Sequence, residues 1–541
     1  MSQPSEFVNT SFEDMPERTL LFGPPGTGKT TVLENLLYSY QAYNSSIDNA
    51  LYLTYSKPMA EEARERTGLE KNIVSTMHSY FSHILGWEKD DFINTNDYIN
   101  FAKKYGLTVR FNINEENIED IIEENVYTYD DLSLFLSSYN YLYSVYHTNP
   151  EKYLDDVNNR LYEMSNQGKN INFPYLFYKY EEYKNQLNKK DYTDILYSIY
   201  TEADYLPPLR FLEIDEAQDL RPIMWAIINK WVSKIDKIIV VGDVNQSLYT
   251  YDGVNIYDFL KLKNTYTPFY LAKTYRLPEQ ILNYSKSIIN EISVKEAQPL
   301  YSMNKSRGQV RFFSSFIDAL TDFLKLDGDK WILARTSSIL QQIIKILQNY
   351  YLIYGIINYR HRYLTPWNSH TLRIYNILNN YPPKTYADMR TLILLLPASV
   401  LRRGIKTRFQ SNEPLPQTID EYSGVNTFET LFRRKITRMD LINLLDLDQI
   451  IKDTIVQNFT LTPQELNYDN IIKVDTIHAA KGKEVDNVLL VKNITWRIVQ
   501  SINSNESGKD NELRVHYVGS TRAKKNLYII EDPTLSNYFL E

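Results

Sequence analysis

The sequence predicts an α/β fold with two parallel-sheet units in tandem, each carrying a mainly helical insertion. Three observations point there. Short apolar runs alternate with helical patterns at both ends of the chain. A glycine-rich turn of phosphate-binding type follows the first of those runs. Two central blocks, 86–194 and 346–470, lose the strand texture and read as helical or irregular.

Thr19 to Phe22 reads as a short buried strand, followed by a glycine-rich turn and a helix from Lys29 to Tyr43. Ala50 to Thr54, Phe211 to Ile214 and Lys237 to Val241 read as the next strands. Continuous apolar runs without polar alternation suit parallel strands covered on both faces. The same texture returns at Trp331 to Ala334, Asn487 to Lys492 and Asn526 to Ile530. In the first insertion, Glu115, Glu116, Glu119, Asp120, Glu123 and Glu124 surround Ile118, Ile121 and Ile122, which is helical spacing with an acidic outer face. Tyrosine-rich helical segments follow from Leu132 to Tyr200. The second insertion holds Pro382-Pro383 and a loop from Glu413 to Gln417. The expected boundaries are 1–85 with 195–268 for the first unit and 86–194 for its insertion. They are 269–345 with 471–541 for the second unit and 346–470 for its insertion.

Composition narrows the function classes. Of 541 residues, 43% are hydrophobic and 23% charged, which excludes wholesale disorder. The net charge of −8 excludes a polybasic binder but leaves room for a local basic groove. The chain has no cysteine, so disulfide frameworks, thiolate zinc sites, iron–sulfur clusters and cysteine nucleophiles are excluded together. Met1 to Leu20 is polar and acidic, unlike a signal peptide, and the longest apolar stretch, Leu392 to Leu401, is short and broken by Pro397. A soluble cytoplasmic protein with no membrane partner is expected. The 45 tyrosines beside 17 glycines read as coding bias.

Gly23-Pro24-Pro25-Gly26-Thr27-Gly28-Lys29-Thr30 has the G-x-x-x-x-G-K-T pattern between a strand and a helix, and Thr31 continues that helix. Such glycines let backbone N–H groups close around phosphate oxygens at a helix N-terminus. Lys29 supplies a charge for the β- and γ-phosphates, and Thr30 a hydroxyl for Mg²⁺. Asp215 and Glu216 end the strand Phe211 to Ile214. Asp215 is the second candidate Mg²⁺ residue, through a water, and Glu216 can accept a proton from an attacking water. ATP and Mg²⁺ are the expected cofactors.

Further motifs follow in order. They are Leu53-Thr54-Tyr55-Ser56-Lys57, Thr76-Met77-His78-Ser79, Asp191-Tyr192-Thr193-Asp194, Gly242-Asp243-Val244-Asn245-Gln246-Ser247-Leu248-Tyr249 and Lys273-Thr274-Tyr275-Arg276. Thr476-Ile477-His478-Ala479-Ala480-Lys481-Gly482-Lys483-Glu484 and Tyr517-Val518-Gly519-Ser520-Thr521-Arg522-Ala523 complete the series. With the phosphate loop and Asp215-Glu216, this series resembles the superfamily 1 helicases of the UvrD/Rep/PcrA-like group. The resemblance spans residues 23 to 523 and leaves the two insertions uncovered.

The resemblance implies two RecA-like motor domains and an ATP-dependent DNA helicase that moves 3′ to 5′ on single-stranded DNA. It implies that Gln246 reports the γ-phosphate, Tyr275 stacks on adenine, and Gly482 and Glu484 approach the ribose. It also implies that Arg276 and Arg522 reach from the second unit to ATP held by the first. The implied single-strand contacts are Thr54, Tyr55, His78, Tyr249, Tyr251, Arg335, Thr336, Thr476 and His478. Single strands are held by aromatic platforms and polar groups rather than high net charge. Expected partners are single-stranded DNA, single/double-strand junctions and replication or repair proteins, with the free protein a monomer. Arg402, Arg403, Lys406, Arg408, Arg433, Arg434, Lys435 and Arg438 form a candidate duplex-backbone surface.

The chain departs from the pattern in places. Tyr251-Asp252-Gly253-Val254 stands where the family has W-R-G-A, which removes a positive charge. Leu513 replaces a frequent arginine beside Arg514. The alternative function is a single-strand-stimulated ATPase or translocase that displaces proteins or regulates without unwinding. An AAA-type oligomeric ATPase would suit the phosphate loop alone, but not Asp243-x-x-Gln246.

Overall fold

A computed structural model describes residues 11–109, 130–165, 171–202, 208–250, 253–296, 298–411, 428–458, 466–504 and 506–540. The acidic helix expected around 115–124, the Glu413 to Gln417 loop, Tyr251 and Asp252 lie outside the described residues. The chain forms two compact units. The first comprises Met1–Leu282, Lys286–Arg307 and Lys509–Tyr517; the second comprises Asn283–Ser285, Gly308–Gly508 and Val518–Glu541.

The first unit is built on a six-stranded sheet of β1 (Arg18–Phe22), β2 (Ala50–Thr54), β3 (Val74–Thr76), β4 (Phe211–Ile214), β5 (Lys237–Gly242) and β6 (Thr267–Tyr270). The strand order is β3-β2-β4-β5-β1-β6 and every pairing is parallel. Side chains alternate along each strand, so both faces bury apolar residues. Leu20, Phe22, Leu51, Leu53, Leu212 and Ile214 share one core with the helices Tyr192–Thr201 and Pro222–Trp231. Leu21, Tyr52, Phe211, Ile239 and Val241 share the other with Val32, Leu33, Leu36 and Leu37 of α1 (Lys29–Asn44). Helices α2 (Lys57–Thr67) and α3 (Met77–Leu85) follow β2 and β3.

Residues 269–282 and 286–307, expected in the second unit, group with the first. The cause is edge pairing: β6 lies parallel to β1, with Thr19 opposite Thr267, and the Leu271 N–H donates to the Phe22 carbonyl at 2.8 Å. The chain then forms β7 (Lys273–Thr274), which pairs with β8 (Tyr301–Ser302).

Helices of the first insertion pack a tyrosine-rich core of Tyr98, Tyr139, Tyr143, Tyr180 and Tyr183 around Phe101, Phe135 and Phe177. Part of the tyrosine excess is therefore packing material. Lys184, almost fully buried, donates to the Tyr139 hydroxyl at 2.7 Å and to Asp194 at 2.8 Å, so the insertion is tied to the helix that opens at Tyr192.

The second unit has its own six-stranded parallel sheet of β9 (Gln309–Phe313), β10 (Lys330–Ala334), β11 (Tyr354–Ile356), β12 (Ile472–Thr476), β13 (Val485–Val491) and β15 (Ala523–Ile530). Its order is β11-β12-β10-β13-β15-β9. A short antiparallel pair, β14 (Asn493–Ile494) with β16 (Tyr538–Phe539), lies outside it. Residues from Trp367 to Ile455 form a separate helical core that includes Leu372, Leu378, Met389, Leu392, Leu441 and Ile455. Among the described residues, no helix is long and apolar enough to cross a membrane.

Candidate nucleotide and nucleic-acid sites

The phosphate loop joins β1 to α1, as its sequence requires. α1 starts at Lys29 with Gly28 at its N-cap, no capping side chain and no acidic residue in its first turn. The helix thus brings no cap or carboxylate of its own to the positive end of its dipole, which suits a phosphate. Thr27 donates its hydroxyl to the Pro24 carbonyl at 2.8 Å and shapes the turn.

Two carboxylates stand at the C-terminal end of β4. Lys29 Nζ lies 3.5 Å from Glu216 Oε1, with both side chains largely buried. Asp215 accepts from the Tyr52 hydroxyl at 3.0 Å and from the Glu216 N–H at 2.8 Å. Burial and the neighbouring Glu216 push Asp215 up to about 6, against the pull of Lys29. Burial likewise raises Asp243, again against Lys29. Glu216 sits at φ 51, a left-handed conformation that non-glycine residues adopt at a cost and that clusters at functional sites.

Asp215, Glu216 and Asp243 crowd around one lysine, an excess of negative charge that a divalent cation would relieve. Thr30 and Asp215 offer the hard oxygen donors that Mg²⁺ prefers. Among the described residues, no cluster of three His, Cys, Asp or Glu could hold a metal. A cation here would share its oxygen shell with the nucleotide and water, as Mg²⁺ does in nucleotide sites.

Gln246 follows β5 and donates to Asp243 Oδ2 at 2.8 Å. The segment after β6 lies against the phosphate loop. The Tyr275 N–H donates to the Gly26 carbonyl at 2.8 Å, and the Thr274 hydroxyl donates to the Pro25 carbonyl at 2.8 Å. A methyl group on Gly26 would lie 2.3 Å from Arg276 Cβ, so glycine is required both for space and for its φ of +70. Arg276 is therefore beside the loop within the first unit, and the expected assignment to the second unit is corrected. Asn304 holds the Arg276 carbonyl at 2.8 Å. The Tyr275 ring is 58% exposed and free to meet a flat ligand.

Arg522 belongs to the second unit. Its guanidinium is buried and donates to the Val518 carbonyl at 2.9 Å, the Lys483 carbonyl at 3.1 Å and the Thr521 hydroxyl at 3.0 Å. The structure thereby joins Arg522 to the Gly482 to Glu484 turn, where Gly482 has φ +79 and Glu484 is exposed.

Among the described residues, the single-strand candidates stand at or beyond the C-terminal ends of strands, where open α/β sheets place ligands. In the first unit, Thr54 ends β2 opposite Thr76 of β3, so Tyr55 and His78 leave adjacent strands. Tyr55 stacks on Tyr249. In the second unit, Ala334 of β10 lies opposite Thr476 of β12, which sets Arg335 and Thr336 beside Thr476 and His478. Thr336 caps the following helix by accepting from the Ile339 N–H. Asp475 is fully buried and accepts from the Thr476 N–H at 2.7 Å, with His361 Nδ1 2.5 Å away. In the second insertion, an antiparallel bridge between Leu401 and Phe432 brings exposed Arg402, Arg403 and Arg408 to the same region as exposed Arg433, Arg434 and Lys435.

Sequence reading overlooked three residues. Tyr52 orients Asp215, Thr274 fastens the Arg276 segment to the loop, and Gln218 bonds to both Glu216 and Asp243. Gln218 carried a signal, since an amide between Glu216 and Asp219 is placed to bind carboxylates.

Residues 8–267 match a family described as the UvrD/REP helicase N-terminal domain, and residues 403–532 match the UvrD-like helicase C-terminal domain. The chain is similar to a probable DNA helicase II homolog of Mycoplasma pneumoniae, with 25% identity over 94% of this chain and 81% of that protein. It is also similar to the ATP-dependent DNA helicase PcrA of Staphylococcus aureus, with 21% identity over 98% of this chain and 82% of that one.

Proposed function

The chain belongs to the UvrD-like DNA helicases, and from that premise we propose how its residues drive an ATP-dependent DNA helicase 3′ to 5′ along a single strand. The observation that carries the reading is the Lys29–Glu216 pair, 3.5 Å apart, with Asp215 beside it at the ends of β1 and β4. Phosphoryl transfer needs charge placed around the transferring group and an oriented attacking water. Gly23, Pro24, Pro25, Gly26, Thr27, Gly28, Thr30 and Thr31 cradle the phosphates, and Lys29 binds the β- and γ-oxygens. Glu216 orients and deprotonates the attacking water.

Thr30 and Asp215 would hold Mg²⁺, which when bound neutralises phosphate oxygens. Tyr275 stacks on adenine, and Glu484 with Gly482 meets the ribose. Arg276 supplies one guanidinium to the γ-phosphate, and Arg522 supplies another from the second unit. Gln246 senses whether the γ-phosphate is present. Alternation between nucleotide-held and released states moves the units, which is how such enzymes turn chemistry into motion.

The strand follows Thr54, Tyr55, His78, Tyr249 and Tyr251 in one unit, and Arg335, Thr336, Thr476 and His478 in the other. The basic cluster around Arg403 and Arg434 holds duplex at a single/double-strand junction. The protein acts as a monomer in the cytoplasm, on DNA under replication or repair.

The test is ATP hydrolysis with and without oligothymidylate, paired with unwinding of duplexes bearing 3′ or 5′ single-stranded tails. Hydrolysis stimulated by the strand, with unwinding from 3′ tails, is expected. Unwinding from 5′ tails alone overturns the direction. Stimulated hydrolysis without strand separation selects the translocase reading.

A further inference from the structure

We propose that Gln218 is a positioning residue that fixes the Glu216 carboxylate and ties it to the Asp243–Tyr249 segment, carrying single-strand occupancy to ATP hydrolysis. The inference rests on the nucleotide-site and strand-track assignments above.

Gln218 is 1% exposed, and every polar atom of its side chain is committed. Its Oε1 accepts from the Asp243 N–H at 2.9 Å, which fixes the direction of the amide. Nε2 must then face the carboxylates, and it donates to Glu216 Oε2 at 2.6 Å and Asp219 Oδ2 at 3.2 Å. The Gln218 carbonyl accepts from the Ser247 hydroxyl at 3.2 Å. One residue thus bonds the loop after β4 to the loop after β5 twice.

The packing around it is close. A methyl group on Gly242 would lie 2.5 Å from Gln218 Oε1 and 2.9 Å from Phe259. The end of β5 is thus pressed against the amide, and a shift of one is felt by the other. Glu216 sits in its left-handed conformation at φ 51, which persists only where neighbours over-determine it. Lys29 holds one oxygen of Glu216 and Gln218 the other.

The far end of the connection is aromatic. Tyr249 lies two residues beyond Ser247, and its ring stacks on Tyr55. A base that displaces Tyr249 pulls on Ser247 and Asp243, both bonded to Gln218, which in turn holds Glu216. The elements are contiguous and buried, as physical coupling requires. Glutamate at this position keeps an acceptor for the Asp243 N–H but sets a third carboxylate against Glu216 and Asp219. Methionine keeps the length and removes all three side-chain bonds.

The test uses the full chain with ATP, Mg²⁺ and oligothymidylate. Wild type and Lys29→Ala are measured first. A wild type without strand-stimulated hydrolysis refutes the nucleotide and strand assignments themselves, and this inference with them. Against a stimulated wild type, Gln218→Glu and Gln218→Met should lose about tenfold or more in stimulated kcat, with KM for ATP within about twofold. The stimulation ratio should fall toward one, while the melting temperature and the affinity for a non-hydrolysable ATP analogue stay near wild type. A stimulation ratio equal to wild type in either variant overturns the proposal. So does a parallel loss of melting temperature, analogue affinity and kcat in both variants, because the side chain would then only hold the fold.

Discussion

The rings of Tyr55 and Tyr249 stack on each other, with centroids 5.0 Å apart and planes 26° from parallel. Tyr55 leaves the end of β2, and Tyr249 lies three residues beyond Gln246. The contact joins the proposed strand track to the loop proposed to sense phosphate. A base on this track would exchange a ring–ring contact for ring–base contacts. Base–aromatic stacking contributes about 1–3 kcal/mol per base. Tyr249→Ala should therefore weaken oligothymidylate binding by about tenfold. Fluorescence anisotropy with a labelled oligonucleotide checks it, and unchanged affinity removes Tyr249 from the track.

Lys29 is the cation placed against Glu216. Lys29→Ala should lower ATP hydrolysis by about a hundredfold or more, as expected when a charge aimed at the transferring phosphate is lost. Phosphate release measures it. Retained hydrolysis would mean that the loop is not the catalytic nucleotide site.

Gly26 and Gly68 have almost the same φ, +70 and +67, but Gly68 has open space where its side chain would grow. Gly68→Ala should cost about 1 kcal/mol, the backbone term alone. Gly26→Ala adds the clash with Arg276 Cβ, so it should cost more and weaken ATP binding as well. Equal melting temperatures for the two variants would show that the Arg276 segment can move away from the loop.

His478 is held well below its ordinary value by loss of hydration, with Arg335 and Lys481 adding like charge. A neutral folded imidazole that protonates when unfolded gives the unfolded state more bound protons below about pH 6.5. Stability therefore rises with pH through that range and falls on acidification. His478→Asn should flatten the fall between about pH 7 and 5, read by thermal melting across that window. A fall as steep as wild type would assign it to other groups.

Arg403 and Arg434 are exposed, and the Leu401–Phe432 bridge brings their segments together. If they contact duplex phosphates, each change to alanine should reduce the log–log salt slope of duplex binding by about one. Titration at several salt concentrations decides it, and an unaltered slope leaves the cluster as a solvated face.

The parts of the fold that depend on neighbouring residues were legible in the sequence. Ala50–Thr54 and Phe211–Ile214 are strands with the expected limits, and α1 starts at Lys29 as the phosphate-loop pattern requires. Relationships between distant segments were not legible. The reading began the second unit at 269, shortly before the Lys273 to Arg276 motif. The register of β6 on β1 and the bond from Tyr275 to Gly26 carry that stretch to the first unit instead. Gln218 received no role from the sequence, because its bonds depend on Asp243, 25 residues away. Asp475, just before the Thr476 to Glu484 motif, received no role either, yet His361, 114 residues distant, approaches its carboxylate.

The first unit is threaded from three stretches of chain, and the last of them is Lys509–Tyr517. Asp510 receives the N–H groups of Ser293 and Val294, and Arg514 returns a bond to the Val294 carbonyl at 2.5 Å. During synthesis the first unit therefore waits, with one seam open, until residues 509–517 have left the ribosome. Vectorial folding, amino-terminal domain first, cannot run to completion in this topology.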